Sequence, residues 1–144
     1  MKTRLLSTTF AAIAGVGLIS SIAACNQTVA TVDVGSCANT SDLTGEITDI
    51  PTIECTESHD AQVVGKFDLD DGDFPGDEGI ASAAEEGCRG QFETFIGISF
   101  DESSLSMNYI GPSEDTWNQA DDREVICFAT SSEPATESWE GAAI

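Results

Sequence analysis

Basic residues are scarce: the 144-residue chain carries 5 Lys and Arg against 26 Asp and Glu. Binding to nucleic acid needs clustered cations that displace counterions from phosphates, so nucleic acid is excluded as a partner. Histidine occurs once, at His59, and no Cys-x-x-Cys pair occurs among the 5 cysteines. That combination disfavours a zinc site. Beyond the N-terminal segment no apolar run approaches the roughly 20 residues a membrane-spanning helix takes. No nucleophile motif or cofactor fingerprint stands out, so the chain is expected to be non-enzymatic and to carry no cofactor.

What is present begins with an export signal. Lys2 and Arg4 precede an apolar stretch from about Phe10 to Ile19, and Ser20-Ser21-Ile22-Ala23-Ala24-Cys25 follows. A basic start, a short apolar middle and a small-residue end make a signal peptide, here residues 1–24. Ile22-Ala23-Ala24-Cys25 resembles the bacterial lipobox, in which the cysteine thiol takes a diacylglyceryl group before cleavage. Cys25 is therefore the expected lipidation site and first mature residue, with the chain on the outer face of the cytoplasmic membrane. Two acyl chains on one residue suffice for stable anchoring.

Lys2 and Arg4 leave with the signal, and Lys66, Arg89 and Arg123 remain against all the acids, a formal charge of about −23. Such a surface disfavours close approach to anionic lipid beyond the anchor; its charge allows cationic partners or divalent ions, and solubility is the plainer explanation of it. Some 120 residues are left, enough for one domain with a modest core.

Residues 25–34, small and polar with isolated valines, are expected to form a lipidated tether that holds the domain off the lipid. The domain is expected over 35–130, with an irregular tail at 131–144. Ile50-Pro51-Thr52-Ile53-Glu54-Cys55 alternates like a strand entered at a proline, and Ala61–Phe67 is a second strand. Asp68–Gly76 has loop chemistry. A helix is expected from Asp77, its cap, with Ile80, Ala83, Ala84, Gly87, Cys88, Gln91, Phe92, Phe95 and Ile96 on one face and Gly97 at its end. Gly87 and Gly90 weaken it, in exchange for close approach to a neighbour. Leu105–Ile110 is a strand with Leu105, Met107 and Tyr109 on one face. Pro112–Trp117 is a helical turn that delivers Trp117 inward, and Arg123–Ala129 is the last strand. This order implies an α+β domain: a small, mainly antiparallel sheet with one principal helix on one face.

Cys37, Cys55, Cys88 and Cys127 form a disulfide framework for which three connectivities are possible. In the expected arrangement Cys37–Cys55 closes a local loop at the entry to the sheet, and Cys88–Cys127 bolts the helix to the last strand. Each bridge is expected to stabilise by roughly 3 to 4 kcal/mol.

The ordered set Val34-Gly35-Ser36-Cys37, Ile53–Gly65 with Cys55-Thr56-Glu57-Ser58-His59-Asp60-Ala61-Gln62, Asp68-Leu69, Pro75-Gly76-Asp77-Glu78, Cys88 with Phe92, Pro112–Trp117 and Asp122–Cys127 resembles the septum formation family of actinobacterial membrane-anchored proteins. The resemblance covers Val34 to Cys127. It departs where the family often has Gly-Asp-Arg and this chain has Asp121-Asp122-Arg123, and where Glu137-Ser138-Trp139 stands in place of a Gly-Ser. The family implies a place in cell division without implying a reaction.

The residues that invite chemistry have plainer readings. His59, beside Glu57 and Asp60, is expected to bond the turn between two strands, with ligand binding as the other role. Asp68-Leu69-Asp70-Asp71-Gly72-Asp73 is dense in hard oxygen ligands, yet an EF-hand starting at Asp68 would have Gly72 at its fifth position and Gly79 where the bidentate acid belongs. It reads as a solvated acidic turn. Asp77, Glu78, Glu85 and Glu86 read as a solvated helix face. Trp139 is the expected exposed contact. The expected function is a lipid-tethered binding or scaffold module acting in septum formation, with the membrane and envelope or division proteins as partners. A ligand- or metal-ion-binding accessory lipoprotein is the competing reading.

Overall fold

The computed structural model describes residues 29–44 and 49–144; Cys25, the signal peptide and Ile47 lie outside them. Among the described residues no helix is long and apolar enough to cross a membrane. The elements are β1 (Cys37–Ala38), β2 (His59–Asp68), α1 (Asp77–Ile96), β3 (Ser106–Ile110), α2 (Glu114–Gln119) and β4 (Glu124–Ala135), with 3-10 turns at Thr40–Asp42 and Phe100–Glu102. The strands form one antiparallel sheet in the order β1-β2-β4-β3, with α1 against one face. The chain is the α+β domain its sequence implies, with both expected bridges, Cys37–Cys55 and Cys88–Cys127.

Alternation along β4 explains why the sheet is buried on both faces. Val125, Cys127 and Ala129 pack with Ala84, Cys88, Phe92 and Ile96 of α1, whereas Ile126 and Phe128 point to the opposite side, with Ala61 and Val63 of β2. The four-residue spacing of Ile80, Ala84, Cys88, Phe92 and Ile96 sets one stripe of α1 on the sheet. At Gly87 a Cβ would collide with the ring of Phe67, and at Gly65 with Gln91, so hydrogen at these two positions is what lets helix and strand meet. Gly90 has open space beside it, and the close approach expected there does not occur.

The second face is covered by the chain's own N-terminal stretch. Ala30 and Val32 are only 7% and 8% exposed, packed with Ala38, Ile50 and Phe128, and Gly35 donates its backbone N–H to Val63 O at 2.8 Å. Residues expected in the tether thus belong to the fold from Ala30 onward, because the apolar positions of that stretch cover a sheet face that would otherwise meet water.

Four further expectations give way. Ile50–Cys55 is not a strand but a loop with one bridge, Ile53 opposite Cys37: β1 is two residues long, and the Cys37–Cys55 bridge, not a ladder, ties the segment down. Helix α1 is capped by Gly76, with no side-chain bond, and Asp77 lies in the first turn with Glu78, where both carboxylates face the positive end of the dipole. Tyr109 is 41% exposed, β3 being an edge strand of the sheet. The tail is not irregular from residue 131, since β4 continues to Ala135.

Gly97 ends α1 in the left-handed conformation at φ 86°, as its sequence position implies. Two carbonyls of that last turn, on Phe95 and Ile96, accept N–H groups from Gly141 and Ala143 at 2.8 Å each. The C-terminal residues therefore satisfy backbone groups that every helix end leaves open. Helix α2 opens on a reciprocal cap: Ser113 Oγ accepts from Thr116 N at 3.1 Å, and Thr116 Oγ1 accepts from Ser113 N at 3.0 Å. Trp117 is delivered inward as expected.

Candidate functional site

Two arrangements on this scaffold bring polar chemistry together. The first is an open groove of about 720 Å3 between the loop that follows β2 and the segment that enters β4. Asp68, Asp70, Asp71, Asp121, Asp122 and Glu124 line it, and Val29 and Thr31 form part of its wall. Arg123 is the one basic residue of the lining. Its guanidinium lies 3.8 Å from the centroid of Trp117, donates from one nitrogen to Trp117 O and Asp122 O at 3.1 and 2.8 Å, and pairs with Asp121 at 3.1 Å. Its Nε is 3.6 Å from Asp71, too long for a hydrogen bond, and is buried without one among the described residues. Trp117 Nε1 in turn donates to Gly72 O at 3.0 Å, and Phe74 meets the Trp117 ring edge-on. The acidic loop is thus fastened from below through Arg123 and Trp117, so its carboxylates are presented from a fixed backbone.

Among the described residues no group of three or more His, Cys, Asp or Glu is gathered closely enough to hold a metal ion. The groove's charge is distributed along its walls. Carboxylates contributed by both walls of an open groove suit a cationic partner.

The second arrangement lies at the far end of the sheet. Between His59 and Ala61 the register breaks: His59 stands opposite Ala135 and Ala61 opposite Thr130. The surplus residues on β4 form a bulge. Beyond it Ser138–Ala143 crosses the sheet end as a strap. Its floor is His59 and Gln62, both fully buried. Gln62 Nε2 donates to Gly35 O at 2.9 Å and Ser138 Oγ at 2.8 Å, and contacts Cys55 Sγ at 3.7 Å. Its Oε1 accepts from Trp139 N at 2.7 Å. His59 Nδ1 bonds Glu57 O at 2.9 Å, its ring is 5.3 Å from Trp139, and its Nε2 has no partner among the described residues.

His59 therefore does bond the turn ahead of β2, as its sequence context implies. Trp139 is corrected: at 4% exposed it belongs to the core beside Phe92 and Ile96, and offers no surface contact. Asp77, Glu78, Glu85 and Glu86 all face solvent. Sequence reasoning did not single out Gln62 or Arg123. A signal existed for each: Gln62 is an amide inside the apolar run Ala61–Val64, and Arg123 is a lone cation following two acids.

A model of the septum formation family matches residues 34–142, a span that reaches past Cys127 to include all of the strap but Ala143. No curated protein and no solved structure matches the chain.

Proposed function

The chain belongs to the septum formation family, and from that premise we propose that it is a non-enzymatic binding module, lipid-anchored through Cys25 on the outer face of the cytoplasmic membrane, that docks a basic segment of a division or envelope protein. The family itself points to a role at the cell envelope or in division. The lipobox-like Ile22-Ala23-Ala24-Cys25 supports the anchor, and the two disulfides suit an oxidising compartment outside the cytoplasm.

The observation that carries the docking reading is the groove with six carboxylates on its walls and Val29 at its edge. Only Asn26, Gln27 and Thr28 separate Cys25 from Val29, so an anchored chain keeps this end of the domain within about 14 Å of its lipid. The partner's segment is accordingly one that lies close to the membrane surface. Long-range attraction between a strongly acidic module and a cationic segment speeds encounter and weakens with salt.

Crosslinking in intact cells tests this. A photoreactive side chain at Asp70 should capture a small set of membrane-associated proteins, and changing Asp68, Asp71 and Asp122 to Asn in the same chain should abolish the capture. Capture that is unaffected by loss of these charges would remove the groove from the account. Calorimetric titration of calcium into the protein separates the ion-binding alternative, which requires saturable binding that the same Asn changes eliminate.

A further inference from the structure

The two bridges differ in their surroundings. Cys88, Cys127 and Cys37 are buried to within 1% of complete, whereas Cys55 is half-buried in the loop before β2. That loop supports the strap's floor at two points, since Cys55 Sγ contacts Gln62 Nε2 and Glu57 O holds His59 Nδ1. Gln62 bonds both Ser138 and Trp139 of the strap. Among the described residues His59 already carries one buried nitrogen without a partner, so loss of Glu57 O would leave both ring nitrogens unpaired by them beneath Trp139.

We propose that the Cys37–Cys55 bridge is a redox latch on the C-terminal strap, holding Ser138–Ala143 down while oxidised and releasing it when reduced. This goes beyond the groove and does not depend on it. The reductant is a dithiol outside the cytoplasm. Its thiolate attacks Cys55 Sγ, on the less buried of the two cysteines, forming a mixed disulfide and expelling the Cys37 thiolate, which takes up a proton. The second thiol of the reductant then displaces Cys55, so that two electrons pass to the protein and the reductant leaves as its own disulfide. With the bridge open, Cys55–Glu57 loses its disulfide tie to β1 and is held only by non-covalent contacts, the Glu57 N–H bond to Glu54 O and the Glu57 O bond to His59 Nδ1 among them, and water reaches His59 and Gln62 by displacing Trp139. The Cys88–Cys127 bridge, sealed under α1, keeps the rest of the domain folded.

The test is stepwise reduction of the full chain with dithiothreitol, alkylation, peptide mass mapping and amide hydrogen exchange. Expected is an intermediate alkylated at Cys37 and Cys55 alone, in which the amides of Trp139, Gly141 and Ala143 exchange at least about tenfold faster while those of α1 from Ala84 to Phe92 stay protected. Opening of Cys88–Cys127 first, strap amides as protected as in the oxidised protein, or α1 amides exchanging as fast as the strap would each overturn the latch. Gln62→Ala in the oxidised protein supplies the second readout. Its strap amides should accelerate without any reductant, and unchanged protection there contradicts the coupling through Gln62.

Discussion

Gln62 and Trp139, 77 residues apart in the chain, are joined by a 2.7 Å hydrogen bond from the backbone N–H of Trp139 to the side-chain carbonyl of Gln62. An amide in the middle of a buried strand is costly unless its donors and acceptor are all used. Here they are, by Gly35, Ser138 and Trp139, and this one side chain connects the start of the domain to its end.

Replacing Gln62 with Ala leaves Trp139 N and Gly35 O without that partner in a dry setting. Thermal or denaturant unfolding should show a loss of about 2 to 4 kcal/mol. A loss under about 0.5 kcal/mol, the range of an ordinary surface change, would mean that water substitutes for the amide.

Gly87 and Gly90 lie one turn apart and should respond with opposite sign. Ala at Gly87 meets the Phe67 ring and should cost about 1 to 3 kcal/mol through overpacking. At Gly90, where nothing stands within 4 Å, Ala should stabilise by about 0.5 to 1 kcal/mol through helix propensity alone. Denaturant midpoints of the two variants decide the matter, and equal signs would contradict the packing described for α1.

Asp121 has φ 54°, at the place where the resembling family often has Gly. Asp tolerates the left-handed region at some cost, and Gly occupies it freely. Asp121→Gly should therefore leave the melting temperature unchanged or raise it, even though the pair with Arg123 is lost, because Asp121 itself is exposed and such pairs contribute little. A clear fall in melting temperature would show that the ion pair outweighs the backbone strain.

Arg123→Leu removes the cation over Trp117 and the bonds to Trp117 O and Asp122 O. With the side chain only 14% exposed, a loss of about 2 to 4 kcal/mol is expected. Exchange of backbone amides in Asp70–Asp73 should rise with it, since that loop is held through Trp117. Loop amides that exchange as before would detach the acidic loop from this anchor.

Much of the fold is legible in local pattern. The spacing of Ile80, Ala84, Cys88, Phe92 and Ile96, the alternation of Val125, Cys127 and Ala129, and Gly97 at the helix end are each dictated by near neighbours in the chain. The elements that escape reading depend on distant partners. Trp139 sits in a polar-looking tail and is buried only because β4 bulges and Gln62, on another strand, offers it an acceptor. Ala30 and Val32 look like tether until the uncovered face of the sheet is known. The groove escapes for the same reason: Asp68–Asp71 and Asp121–Glu124 lie some fifty residues apart, and only the pairing of Asp68 with Glu124 brings their loops together.

The central claim is an anchored module acting where the cell divides, and imaging of a labelled full chain in dividing cells tests it most directly. The account predicts enrichment at the division site that requires Cys25, with Cys25→Ala losing both acyl labelling and the septal signal. Even distribution around the cell, or a Cys25→Ala chain that keeps its lipid label and its septal position, would contradict it.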